Sequence, residues 1–367
     1  MHGRVSAPAK SEVLHYVGYD DDRGGIVSMI RALAATGRVH CVLGVNPGCV
    51  QHQRPPLETR AFSRVEGEKI GVINLLRAGM VAGEVRAWLR AGRERVFHGH
   101  SRAGLLVALW LQLLGECRVI ASVHCYGRQR WFYRLTRRWL SDRLVWYSPA
   151  MKRHYGCADF SSWAGCMPNG LAAPLPVAMH RGPGAGGVLR LGGAGAMVPW
   201  KRWDLVLRAL ARLPANARVR FIHIGGALDT PDSKACEAGL RALTNELGLA
   251  DRVEWRGWQR TSADLLREVD AVVVPSDGEP FSMIALEALF AGRPVLATRG
   301  GGPEDFIVEG ENGWLVPAGD AAALAARIAE CMDAASWARL RVSPEHLRKF
   351  SMGETLAPRW AEMYAAL

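Results

Sequence analysis

The chain has 367 residues, 49% of them hydrophobic, which suits two domains of ordinary size with a core in each. Net charge is +11, and the excess sits early: 24 Lys+Arg face 12 Asp+Glu through Pro168, against 22 and 23 from Asn169 onward, so anionic partners are expected for the first half only. The eight cysteines show no C-x-x-C and no zinc-ligand spacing, which argues against a disulfide or zinc scaffold and for reduced thiols in a cytoplasmic protein.

In chain order, MHGRVSAPAKSEV has no apolar core of its own, so no secretory leader is expected there. Residues 11–18 (SEVLHYVG) read as a first strand, followed by Tyr-Asp-Asp-Asp-Arg-Gly-Gly and a helix from near Ile26 to Gly37. Gly24 and Gly25 at this strand-to-helix turn read on their own as a tight turn, which would also allow close approach of a ligand. Asp20, Asp21 and Asp22 read as solvated carboxylates of an exposed loop. Next come a strand at Val39–Val45, a polar, Pro-rich loop over 46–60, helices around Ile70–Gly79 and Glu84–Arg90, and a strand at Arg95–His98. HGHSRAG (98–104) closes that strand and opens a helix with Ser101 as its cap. The apolar run Ala103–Gly115 is too short to cross a bilayer and carries Gln112. SVHCYG (122–127) closes a strand at Val119–Val123.

From Arg128 to Arg153, eight basic residues and one acidic residue interleave with Trp131, Phe132, Tyr133, Trp139, Trp146 and Tyr147. That composition fits a membrane-surface face, single-stranded nucleic acid, or an amphipathic helix with its aromatics in the core. After MPNG (167–170), the Pro/Gly/Ala-rich residues 171–187 read as a linker. A strand VLRLGGAG and a loop AMVPWKRWD follow. The dinucleotide fingerprint is incomplete there, because Val198 occupies the third glycine position. A helix at Leu205–Leu213, a strand over 219–226, a helix near 232–247, a strand over 253–258 and a helix at Ser262–Glu268 continue the alternation. Beyond NGWLVP, a helix is expected over 320–333.

Between these lies the most informative stretch. A strand at Ala271–Val274 stops at Pro275, turns through Ser-Asp-Gly-Glu-Pro, and enters a helix from about Ser282 to Ala291 that Gly292 ends. A second strand, Val295–Ala297, runs into Gly300-Gly301-Gly302. A helix N-terminus and two glycine-bearing loops at the carboxyl ends of parallel strands make a site for an anion. Glu279 lies in the loop and Glu287 in an otherwise apolar helix; such a carboxylate is suited to accept from sugar hydroxyls, while Glu287 taken alone also reads as a solvent-facing glutamate on an amphipathic helix.

E-P-F-S-M-I-A-L-E resembles the E-x7-E element of the family-four retaining glycosyltransferases, with PS before it and EAL-x-AG-x-PV-x-A-T, GG-x-x-E and NGWLVPAGD after it. The resemblance implies an α/β chain of the GT-B fold, two doubly wound Rossmann-like domains facing a central cleft. Residues 1–170 would form the acceptor-side domain, 171–187 the linker and 188–350 the donor-binding domain, with the C-terminal helix 351–367 crossing back. The implied activity is a metal-independent retaining hexosyltransferase, moving a sugar from a nucleotide-diphosphate sugar to a hydroxyl of a glycan or lipid-linked acceptor. Polysaccharide or lipopolysaccharide synthesis for the cell envelope is the implied setting, with no cofactor and no nucleic acid.

By resemblance, Glu287 would hold the ribose and Glu279 the donor sugar. The backbone N–H groups of Phe281, Ser282 and Met283 would face the phosphates, and Gly24 and Gly25 would lie under the diphosphate. GAMVPWKRWD resembles G-R-L-x-x-x-K-G, a loop that grips the diphosphate. Lys201 fits that pattern, while Ala196 stands where the family has arginine and Arg202 follows Lys201. His124 matches a histidine beside the transferred sugar, although Cys125 follows it where relatives often have Asp; His100 is a weaker candidate. The charged first half adds the expectation of peripheral contact with an anionic membrane at the inner face of the cell membrane. A same-fold nucleotide-sugar epimerase and a non-catalytic nucleotide-sugar-binding protein are the alternatives.

Overall fold

The computed structural model describes residues 11–22, 24–52, 55–67, 70–127, 129–156, 165–174, 176, 178–183, 187–341 and 343–367. Arg128 of the basic stretch and part of the segment 171–187 lie outside the described residues. The chain divides into two compact units. The first contains the described residues up to Tyr147, with Lys152–Ala172 and Phe350–Leu367; the second contains Ser148–Met151 and Ala173–Lys349.

The first unit alternates β1 (Glu12–Tyr16), α1 (Gly25–Ala35), β2 (His40–Val45), β3 (Glu58–Ala61), α2 (Val72–Arg90), β4 (Arg95–Gly99), α3 (Arg102–Leu113), β5 (Val119–Val123), α4 (Arg130–Leu140) and β6 (Leu144–Trp146), after which comes α5 (Pro149–His154). Its six strands are ordered β3-β2-β1-β4-β5-β6 and all pair in parallel. The central strands are apolar runs buried on both faces, as parallel sheets require. Helix α3 packs against both α2 and α4, which puts these three on one face of the sheet.

The second unit repeats the scheme with β7 (Leu189–Ala194), α6 (Trp203–Arg212), β8 (Val219–Ile224), α7 (Pro231–Glu246), β9 (Val253–Trp255), α8 (Ala263–Glu268), β10 (Ala271–Val274), α9 (Met283–Phe290), β11 (Val295–Arg299), β12 (Gly313–Pro317), α10 (Ala321–Glu330) and α11 (Pro344–Arg348). Its order is β12-β11-β10-β7-β8-β9, again parallel throughout. The chain then adds a π-helical turn (Met352–Leu356) and α12 (Ala357–Ala365) to the first unit, burying Trp360 and Tyr364 there.

Three local expectations are corrected. The loop over 46–60 ends in β3, an edge strand whose four residues are all exposed, so no apolar alternation announces it. The helices expected at Ile70–Gly79 and Glu84–Arg90 are one helix, α2. Its glycines do not break it: Gly79 lies against the Trp110 ring, and a Cβ at Gly83 would meet only open space. Asp22 is not solvated but fully buried, pairing with Arg31 at 2.9 Å and accepting the His52 N–H at 2.7 Å. A carboxylate without water needs such partners. Asp20, by contrast, is exposed and pairs with Arg64 at the surface.

Candidate functional site

In the second unit, β10 delivers the chain into the loop 275–282 and then α9. Ser282, the residue before α9, has φ 73° and ψ 92°, an uncommon conformation for a side-chain-bearing residue. Its hydroxyl is buried without a partner, and no side chain caps the helix. The first N–H groups of α9 are therefore left for an outside acceptor, with the positive end of the helix dipole behind them. Opposite lies the Gly300–Gly302 loop, whose Gly302 N–H donates to the Glu279 carbonyl at 2.6 Å. A Cβ at Gly302 would stand 2.2 Å from the Pro280 carbonyl oxygen, so only glycine lets the two loops approach this closely.

Glu279 is buried and accepts from Lys201 Nζ at 2.5 Å and from Ser276 Oγ at 3.1 Å. Lys201 ends the short turn after β7, with its ammonium 4.5 Å from the Trp200 ring centre. Two glycines bring that turn in: a Cβ at Gly225 would lie 2.0 Å from the Gly195 carbonyl oxygen. A cation and an anion thus sit together beside an uncapped helix start. Glu287, on α9, is only part-exposed and accepts from Ser262 Oγ at 2.5 Å. Burial pushes its carboxyl above the ordinary range, and the Ser262 bond pulls it partly back. Phe281 is buried, its ring 5.1 Å from that of Phe306.

At Ala196 it is the backbone carbonyl that bonds, accepting from Trp203 Nε1 at 3.1 Å and from the Val198 N–H at 3.1 Å. Arg202 does not stand free to replace the missing arginine. It adopts φ 52° and donates to Asp204 at 3.0 Å and Asp277 at 2.7 Å. Hydrogen bonds to those two carboxylates hold its pKa above the ordinary arginine value. A cavity of about 590 Å³ lies beside Arg202, Trp200 and Asp277, but Lys201 and Glu279 are not among its lining residues. Sequence reasoning missed Ser276, Ser262 and Asp277. Only the PS and SD dipeptides ahead of Glu279 hinted at two of them.

In the first unit, Gly24 precedes α1 with φ 105°, in the region that favours glycine, and Gly25 is the first helical residue. Both are exposed, and α1 starts without a side-chain cap. His124 follows β5, part-exposed, with its ring 4.1 Å from that of Tyr147 and Nε2 3.0 Å from His100 Nδ1. Behind it stand the fully buried His15 and His98, neighbours in the β1–β4 register. Burial lowers the pKa of His15 and of His124 to about 3 and holds His98 and His100 well below the usual range. All four rings are neutral at pH 7. His15 went unnoticed in the sequence, because a single histidine in a buried strand carries no pattern.

Residues 189–334 match the family model described as Glycosyl transferases group 1. The D-inositol 3-phosphate glycosyltransferase of Mycolicibacterium smegmatis is 36% identical over 168 residues, 44% of this chain and 37% of that protein. The lipopolysaccharide core biosynthesis glycosyltransferase LpsE of Rhizobium meliloti is 34% identical over 134 residues, 36% of each chain. The chain therefore spans little more than a third of the length of these curated relatives. The fold is shared far more widely. Anabaena HepE, crystallised with UDP and glucose, superposes with a TM-score of 0.74 at 18% identity, covering 97% of this chain and 100% of that one. Sucrose-phosphate synthase from Thermosynechococcus elongatus gives a TM-score of 0.74 at 19% identity, covering 97% and 99%. The two parallel six-stranded sheets with their helices are the GT-B architecture expected from the sequence.

Proposed function

Because residues 189–334 are a group 1 glycosyl transferase domain in a chain of the GT-B fold, we propose that the protein is a retaining hexosyltransferase. It takes a nucleotide-diphosphate sugar as donor and a hydroxyl of a glycan or lipid-linked acceptor, in cell-envelope polysaccharide or lipopolysaccharide synthesis. The observation that carries this reading is the Lys201–Glu279 pair set beside the uncapped start of α9. The diphosphate binds the N–H groups of Phe281, Ser282 and Met283, and Lys201 neutralises the charge that builds on the leaving phosphate. Glu279 accepts from hydroxyls of the donor sugar and Glu287 from the ribose. On this reading the ammonium supplies the positive charge, and neither metal nor cofactor is called for. The roles of His124, Gly24 and Gly25 rest on the sequence resemblance.

Thermal-shift measurements against uridine, guanosine, adenosine and thymidine diphosphates test donor binding, since a ligand of the folded state raises the melting temperature. One nucleotide is expected to stand out. Glu287→Gln weakens that nucleotide by about 1–3 kcal/mol, the size of a lost charge-assisted hydrogen bond. Equal affinity in a properly folded variant removes the ribose assignment. Conversion of a nucleotide sugar to its epimer without acceptor would replace transfer by epimerisation.

Peripheral contact with an anionic membrane at the inner face of the cell membrane belongs to the same reading. On α4, Trp131 is 61% exposed and Trp139 48%, one on either side of Arg134, Arg137 and Arg138. Val72, Ile73, Leu76 and Met80 of α2, on the same face of the sheet, are also exposed. Basic residues near an anionic surface contribute about 1 kcal/mol each, screened by salt, and exposed tryptophans suit the interface. Co-sedimentation with phosphatidylserine vesicles at low salt, fading at high salt and weakened by Trp131→Ala with Trp139→Ala, is the expected result. No sedimentation even at low salt points instead to a soluble acceptor.

A further inference from the structure

Three histidines of the first unit, His15, His100 and His124, are joined by their own ring nitrogens. His15 Nδ1 lies 2.9 Å from His100 Nε2, and His100 Nδ1 lies 3.0 Å from His124 Nε2. His98 stands beside this chain with both nitrogens used, Nδ1 at 2.7 Å from Tyr364 Oη and Nε2 at 2.6 Å from Ser122 Oγ. His15, His98 and His100 come close enough to share a metal ion. However, five of their six ring nitrogens already have partners, and no carboxylate belongs to the group. A divalent cation would have to break those bonds and stay uncompensated in a dry interior. The arrangement is a hydrogen-bonded chain.

Such a chain has a direction. A neutral imidazole carries one N–H and one bare nitrogen, so each ring that accepts at one nitrogen donates from the other. Only two settings link His15, His100 and His124. In one, every Nε2 carries the proton, and the His15 Nε2–H points into the core. In the other, every Nδ1 carries it, and His15 Nε2 is a bare acceptor. His15 Nε2 is buried without a partner. Either setting leaves this atom unsatisfied, but orphaned buried N–H groups are rarer in folded proteins than unsatisfied acceptors, which favours the second setting.

We propose that His15 and His100 are positioning residues that lock His124 in the Nδ1–H form, so that His124 meets its substrate as a hydrogen-bond donor and not as a base. The inner nitrogen of His124 is occupied by the His100 N–H, and only the Nδ1–H of its part-exposed ring is left for a ligand. That edge suits an oxygen acceptor, such as a sugar hydroxyl or a phosphate. The substrate half of this statement rests on the transferase reading; the tautomer half does not.

The test is a long-range proton–nitrogen correlation spectrum of the full chain with nitrogen-15-labelled histidine at neutral pH. Nδ1–H patterns are expected for His15, His100 and His124 together. His100→Leu should return His124 to the Nε2–H form and lower kcat/KM about tenfold, the usual cost of one misdirected hydrogen bond. His100→Asn, whose amide N–H can take the place of the Nδ1–H, should restore both. An Nε2–H form of His124 in the unaltered protein overturns the proposal, as does an unchanged His124 tautomer in His100→Leu. Stoichiometric metal retained by the three buried histidines overturns it as well. The spectra need no substrate, so absence of transferase activity leaves this test standing.

Discussion

Lys201→Ala is expected to lower sugar transfer about 10²–10³-fold, the range seen when one preorganised charge-stabilising donor is removed, and to destabilise its unit by about 3 kcal/mol. The second effect comes from the partner left behind. Glu279 is buried, with Lys201 Nζ at 2.5 Å and Ser276 Oγ at 3.1 Å donating to its carboxylate. Removing one member of a buried pair strands the other charge, which costs about 3–5 kcal/mol when fully enclosed; the residual exposure of Lys201 places the value at the lower end. Glu279→Gln relieves that charge. The double variant should therefore regain much of the lost stability and none of the activity. Thermal unfolding of the two single variants and the double variant measures the coupling, and transfer rates measured alongside separate binding from chemistry. Full activity in a folded Lys201→Ala protein would remove the diphosphate assignment, and additive stabilities would show that the pair is not coupled.

The second large effect is on stability in mild acid. Burial lowers the pKa of His15 and His124 to about 3 in the fold, with His98 and His100 also well below their unfolded value of 6.5. A group depressed by folding lends its stability above the unfolded pKa and loses it as pH falls. Here the loss begins below pH 6.5 and continues toward pH 3. Each such histidine removes about 1.4 kcal/mol per pH unit across that window. That loss falls on a domain whose whole stability is roughly 5–15 kcal/mol, so mild acid is expected to destabilise this unit markedly. Among the described residues of the second unit the counterpart is His223, lowered to about 3 by burial, with Lys201 and Arg241 adding to the shift. Glu287 runs the opposite way, because burial raises its carboxyl. Hydrogen exchange at β1 and β4 should therefore accelerate steeply between pH 6.5 and 5, well before β7 and β8 respond. Equal pH sensitivity in both units would contradict the placement of the histidines.

The sequence by itself determined the architecture and the chemistry-bearing loop. Apolar runs bounded by Gly and Pro place β10 and α9 within a residue of where they lie, because a parallel strand buried on both faces leaves an unbroken signature. Ser101 was legible as a cap for the same local reason, and its hydroxyl accepts the Gly104 N–H. What needs two distant segments was not legible. The pairing of Lys201 with Glu279 joins residues 78 positions apart. The retirement of Arg202 depends on Asp277, 75 positions away, so a loop that reads as doubly basic presents one cation to Glu279 and ties up the other. Asp22 looked solvated until Arg31 and the His52 N–H closed over it. The histidine chain is the strongest case: parallel pairing sets His15 beside His98, and the loops after β4 and β5 add His100 and His124. Strand order is a long-range choice made by packing, and only that choice turns scattered imidazoles into one hydrogen-bonded line.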